Sequence, residues 1–236
     1  MIDAHDLVKE YSGRRVVDGV GFMAPNGCVT GLVGPNGAGK TTTLRMLVGL
    51  TRPTSGEALV SGRRYRDLGP YPLRQVGTLL DGIVPDGERR AVDQLRWVAR
   101  SNRIPSTRIG EVLDLVGLSG DARRRVKGYS LGMKQRLGMA TALLGDPQTL
   151  ILDEPFNGLD PDGIRWLRAL VRGHADRGGV VLVSSHLMRE LESMTDRVVI
   201  LSRGRVIADG ALDRVSAGCA SLEEAYFRLL NKTEGI

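Results

Sequence analysis

The stretch "LVGPNGAGKTTTL", residues 32–44, sets two apolar residues before three glycines in six positions, then a lysine and three threonines. Gly34, four residues, Gly39, Lys40 and Thr41 fit the phosphate-loop spacing G-x-x-x-x-G-K-[ST]. The chemistry follows from the residue types. Glycines let successive backbone N–H groups turn inward around an anion, and a helix starting at the loop's end adds its positive terminus. Lys40 is then expected to reach the β- and γ-phosphates, and Thr41 to place a hydroxyl on Mg²⁺. A Gly-rich turn is the bland alternative, but a chance match to all four fixed positions is on the order of 1% in a chain of this length. The flanks also fit: "CVTGLVG" reads as a buried strand, and "KTTTLRMLVGL" opens a helix with apolar Leu44, Leu47 and Val48.

Composition bounds the rest. At 236 residues and 42% hydrophobic, the chain can bury a sizeable core and suits one large domain or a domain with a subdomain. It has no run of about 18 apolar residues, and "MIDAHDLVKEY" lacks the basic then apolar order of a signal peptide, so a chain neither secreted nor membrane-spanning is expected. Cys28 and Cys219 follow no metal or redox spacing and read as reduced thiols. Of 33 basic residues only five are lysine, and the net charge is +6. The basic clusters are scattered and aromatics make up 4%, which argues against a stacking platform for nucleic acid; no nucleic-acid partner is expected. An anionic membrane surface or a partner's loops would account for the same charge.

Along the chain, residues 2–31 carry short strand-like runs broken by Gly and Asn, which predicts an antiparallel β layer. "SGEALVSGRR" predicts a further hairpin. From about 86 to 145 the period becomes helical, with Val92, Leu95 and Val98, then Ile109, Val112, Leu113 and Val116 after a candidate N-cap at Ser106. "TLILDEP", a helix over 161–172, "GVVLVSSH", a helix over 187–194 and "RVVILSRGRVIADG" follow. Apolar strands alternating with helices predict an α/β fold with a parallel core, the phosphate loop at a strand's C-terminal end. One domain over 1–236, with a helical subdomain inserted at about 86–145, is the expected organisation.

In "LILDEP" the strand Leu150, Ile151, Leu152 delivers Asp153 and Glu154 to the edge expected to hold the phosphate loop. Two adjacent carboxylates there can divide the work: Asp153 can hold Mg²⁺ through water, and Glu154 can polarise the water attacking the γ-phosphate. With these in place the whole chain resembles the nucleotide-binding subunit of an ATP-binding cassette (ABC) transporter. Further segments carry the resemblance in order. "EYSG" puts Tyr11 where the family stacks an aromatic on adenine. "YSLGMKQRL" stands at the LSGGQ signature, with Ser130 and Gly132 matching and Tyr129, Leu131 and Met133 departing. "NGLD" resembles the D-loop with Asp160, "SSH" puts His186 at the switch histidine, and "SLEEAYFRLL" resembles the tail helix of many exporter subunits.

The resemblance implies a P-loop NTPase core with an N-terminal antiparallel β subdomain and an all-helical insert carrying the signature. It implies ATP as the nucleotide, held by Tyr11, Gly34, Pro35, Asn36, Gly37, Ala38, Gly39, Lys40, Thr41 and Thr42, with Glu154 and His186 in catalysis. It implies a head-to-tail nucleotide-sandwich dimer with a second copy or a homologous ATPase subunit, in which Ser130 and Gly132 of one subunit face the γ-phosphate of the other and Asp160 serves the dimer contact. Hydrolysis would then power export by a separate transmembrane permease, with the chain at the cytoplasmic face of a bacterial membrane. One departure stands out: in "VGTLLDG" the family's Mg²⁺-approaching Gln is replaced by Asp81, and Gln75 and Gln94 are out of register with it. An acidic residue there resembles the exporter ATPases associated with self-protection against peptide antibiotics such as lantibiotics and bacitracin. Asp81 is accordingly a candidate metal residue acting through water. An end near residue 236 with no regulatory domain also argues for export. The competing reading is a soluble ABC-type ATPase acting on DNA or ribosomes. Those resemble tandem cassettes or cassettes broken by coiled coils, and neither pattern occurs here.

Overall fold

The computed structural model describes residues 1–81 and 86–234. The chain opens with β1 (Ile2–Tyr11) and β2 (Arg14–Ala24), then β3 (Cys28–Val33), the phosphate loop, α1 (Lys40–Leu47), β4 (Ser55–Val60) and β5 (Val76–Leu79). α2 (Ala91–Ser101), α3 (Thr107–Leu115) and α4 (Leu131–Leu143) follow before the chain re-enters the sheet as β6 (Thr149–Asp153). The remainder is α5 (Pro161–Asp176), β7 (Val180–Ser185), α6 (Met188–Glu192), β8 (Arg197–Ser202), β9 (Arg205–Ala211), α7 (Leu212–Val215) and α8 (Leu222–Glu234).

Two sheets result. β2, β1 and β4 form an antiparallel sheet in that order, and the second sheet runs β5-β6-β7-β3-β8-β9, parallel except for β9. Every residue of β6 and β7 is buried, which is why these strands read as unbroken apolar runs: both sheet faces are covered. Alternation decides which neighbour each residue meets. Leu150, Leu152, Val181 and Val183 pack toward the inserted helices and α5. Ile151 and Leu182 pack toward α1 and the antiparallel sheet.

The insert lies between β5 and β6 and is fastened to the core across α4 and α5. Arg136 donates to the Val116 carbonyl at 2.9 Å and its guanidinium lies 4.5 Å from the centre of the Trp166 ring. Trp166 Nε1 donates to the Leu115 carbonyl at 3.0 Å.

Several expected elements differ. The hairpin over "SGEALVSGRR" reduces to β4, paired with β1, and one bridge between Val60 and Arg63. The would-be second arm, with Arg63 and Arg64, offers no apolar alternation to bury, and the chain turns into a short 3₁₀ segment at Tyr65–Asp67. Ser106 does not cap α3: its backbone is already helical, because Arg108 N bonds back to the Pro105 carbonyl and so draws Ser106 into the first turn. α5 runs through Gly173 to Asp176, since Val171, His174 and Ala175 continue the buried stripe. The helix expected over 187–194 contracts to Met188–Glu192. Cys28 and Cys219 are both free and half-buried.

Candidate functional site

The parallel register sets the site. β3 pairs Val33 with Ser185, and β6 pairs Asp153 with Ser184, so three adjacent strands end level. The phosphate loop, Glu154 and His186 leave from that common edge, the usual place for ligands in an open parallel sheet.

The loop wraps tightly. Gly39 caps α1 with φ +102°, a conformation that a side chain disfavours, and a Cβ there would lie 2.9 Å from the Val16 carbonyl oxygen. Pro35, Asn36 and Gly37 are exposed, and Gly34, Ala38 and Gly39 are buried. Thr41 and Thr42 are half-buried in the first turn of α1. Lys40, 5% exposed, donates from Nζ to the Gly34 carbonyl at 2.7 Å and the Pro35 carbonyl at 3.3 Å. Nζ also lies 3.5 Å from Glu154 Oε1. Burial of an ammonium is tolerated here because it has acceptors and a counter-charge.

Glu154 follows β6 with φ +49°, a left-handed conformation that costs a non-glycine on the order of 1–3 kcal/mol and that its surroundings hold in place. Its N–H donates to the Ser184 carbonyl at 3.0 Å. Its Oε2 accepts from Ser185 Oγ at 3.2 Å and lies 2.9 Å from His186 Nδ1. A carboxylate only accepts, so this pairing puts a proton on Nδ1 and points the outer ring nitrogen away from Glu154.

Asp153 is buried, with one oxygen taken by the Ser184 hydroxyl and Oδ2 without a partner among the described residues. A buried carboxylate oxygen in that condition is costly unless a cation or water completes it. The Asp153 carboxylate and the Thr41 hydroxyl are both oxygen donors, the type Mg²⁺ prefers. Among the described residues no cluster of three His, Cys, Asp or Glu side chains forms an all-protein metal site.

The other candidates lie apart from this cluster. Ser130 caps α4, accepting from Met133 N at 3.2 Å, and Gly132 lets the helix approach the chain at Gly158, where a Cβ would meet a carbonyl oxygen at 2.9 Å. Asp160 caps α5 through Gly163 N at 2.8 Å. Tyr11 is 48% exposed, with Lys9 Nζ 4.8 Å from its ring centre. Asp81 is exposed, and its carbonyl accepts from Arg45 at 3.4 Å; residues 82–85 of the same loop lie outside the described residues.

Sequence reading passed over three participants. Ser184 and Ser185 orient the two carboxylates, and two hydroxyls closing the apolar run "VVLV" were the available signal. Gln135 Nε2 donates to the Glu154 carbonyl at 3.4 Å, tying α4 to the strand-end cluster; nothing in its spacing marks it.

A model of the ABC transporter family matches residues 17–157. The chain belongs to the ABC transporter family. It is an ATP-binding member of it, similar to the lantibiotic transport ATP-binding protein SrtF of Streptococcus pyogenes, at 36% identity over 96% of each chain. It is 39% identical to the bacitracin transport ATP-binding protein BcrA of Bacillus licheniformis, over 91% of this chain and 71% of that one. A solved structure described as the ATP-binding subunit of an ABC transporter superposes with a TM-score of 0.89 at 31% identity, covering 98% of this chain and 99% of that chain. The fold thereby matches the expected ABC architecture. Among the described residues no helix is long and apolar enough to cross a membrane.

Proposed function

We propose that this ABC ATP-binding subunit hydrolyses Mg²⁺-ATP to power export of a peptide antibiotic or similar drug by a separate transmembrane permease. The observation that carries the chemistry is the convergence of Lys40, Asp153, Glu154 and His186 at one sheet edge. The names of the relatives and the acidic residue at Asp81 support the cargo class.

In this reading the phosphates enter the loop over residues 34–42 and take Lys40 from the carbonyls and the Glu154 carboxylate that now hold it. Glu154, released from Lys40, accepts a proton from the attacking water. His186 holds the carboxylate by the Nδ1 contact and turns its outer nitrogen toward the γ-phosphate. The unpartnered Asp153 oxygen and the Thr41 hydroxyl would hold Mg²⁺, with Asp81 reaching it through water. When bound, the ion neutralises charge on the phosphates. Ser130 and Gly132 serve the second copy's site, and Asp160 the contact between copies. Tyr11 receives the adenine once Lys9 yields one ring face. The permease holds the subunit at the cytoplasmic face of the membrane. No observation favours the reading of a soluble ATPase acting on DNA or ribosomes.

The test is phosphate release by the purified protein with Mg²⁺, with EDTA, and with Lys40→Ala. Turnover that needs both the metal and Lys40 is expected. Turnover indifferent to either sinks the reading.

A further inference from the structure

We propose that α8 is a working part of the nucleotide site, with Tyr226 as a positioning residue at one end and the first turn of the helix as a tether behind His186 at the other. The inference rests on reading the Lys40 loop as the nucleotide site.

A cavity of about 450 Å³ lies beside the phosphate loop, and Tyr226 and Leu230 of α8 face Asn36, Ala38, Val16 and Arg203 across it. Tyr226 is 5% exposed, although its helix is the last element of the described chain and the next residue, Phe227, is 54% exposed. Leu222, Ala225, Tyr226, Leu229 and Leu230 fall on one stripe at helical spacing, which is what turns the ring inward. The opposite wall is tied to the loop itself. Gly204, in the turn between β8 and β9, donates from its N–H to the Ala38 carbonyl at 3.1 Å and accepts from Asp18 N at 2.8 Å.

The other end of α8 is anchored elsewhere. Leu222 N donates to Glu192 Oε1 at 3.1 Å, and Arg189 Nε lies 3.6 Å from Glu223 Oε2. Glu192 and Arg189 belong to α6, which begins two residues after His186. One helix therefore lines the cavity beside the loop that receives phosphates and is bonded to α6, which follows the histidine.

The two ends act on different steps. The Tyr226 ring walls the cavity opposite the Pro35–Ala38 turn and so shapes the space beside the phosphates, and its loss weakens nucleotide binding. The Glu192 tether fixes α6 and with it the aim of His186, so its loss slows turnover of bound nucleotide.

Steady-state ATPase kinetics on the full chain separate these effects. Tyr226→Ala should raise KM for ATP about 5- to 30-fold with kcat little changed, and Tyr226→Phe should stay within about twofold of wild type. Glu192→Ala should lower kcat about 3- to 10-fold with KM held. Should Tyr226→Ala unfold, Tyr226→Leu, which keeps volume and loses the ring plane, takes its place with the same expected rise in KM. A merely structural helix would lower the melting temperature and the active fraction, leaving KM within about twofold in every variant; that result overturns the proposal. A Lys40→Ala control binding a fluorescent ATP analogue like wild type would instead sink the underlying nucleotide reading.

Discussion

The strand-end cluster and the signature segment differ in how much of their chemistry one chain completes. At the strand ends, Lys40, Asp153 and Glu154 are buried, and Lys40 and Glu154 have polar partners in place. At the start of α4, Leu131 is 63% exposed and Ser130 faces solvent with only its own helix to cap. Buried polar groups are pre-organised because leaving them unpaired is costly. An exposed apolar side chain beside a capped helix start is instead suited to receive something. The contrast agrees with the proposal that the protein builds one half of a site for itself and offers the other half outward.

The largest effect should come from the self-contained half. Glu154→Gln is expected to cut phosphate release by about 10²- to 10⁴-fold, the range for losing a positioned general base. Binding of a fluorescent ATP analogue should persist, and ATP should shift the variant to a dimer on size-exclusion chromatography. A variant that stays monomeric with nucleotide bound breaks the two-copy scheme. Next comes the outward half: Ser130→Arg and Lys40→Ala are each expected to be inactive, and mixing them should recover activity that neither has alone. If heterodimers form and stay inactive, Ser130 does not serve a partner's site.

A smaller effect is expected at Asp81, where neither half closes. Asp81→Gln should leave ATP turnover within about an order of magnitude, and Asp81→Ala should reduce transport more than hydrolysis when a permease is reconstituted in vesicles. Unchanged transport would mark it as a passive loop residue. Asp160→Ala removes the α5 cap and should cost about 1 kcal/mol in a denaturant melt.

The smallest effect concerns His174, away from both halves. Burial against Gly179 and Gln148 holds its pKa below the ordinary value of 6.5, burial outweighing the Gln148 hydrogen bond. Below that value the unfolded chain takes up a proton that the folded one refuses, so stability should fall as pH drops through 6.5 and level off below the folded pKa. Thermal melts of wild type and His174→Gln should differ by a constant amount above pH 7, and beneath it the difference should shift against the wild type.

How much of this was legible follows the physics of each residue. The parallel core was readable because β6 and β7 are buried on both faces and therefore uniformly apolar. The carboxylates were readable because Asp153 and Glu154 end such a run. Ser106 misled because capping depends on where the first turn begins, which Pro105 shifts and composition does not show. The missing hairpin arm had turn residues without a face to bury. The Lys40–Glu154 contact was not readable at all, since it joins residues 114 positions apart through a register that only pairing of β3, β6 and β7 creates. The role of α8 was hidden for the same reason: its stripe predicts that it packs, and says nothing of where.

The seat of Lys40 has a consequence for protein chemistry. With its ammonium folded against two carbonyls and a carboxylate, this lysine is shielded from amine-directed reagents, whereas Lys9, Lys127 and Lys134 are each at least partly exposed. Because the chain has only five lysines among 33 basic residues, a brief acylation followed by peptide mapping gives a short, constant set of labelled peptides from the exposed amines. Against it, any motion that lifts Lys40 out of its seat would register as one additional labelled peptide.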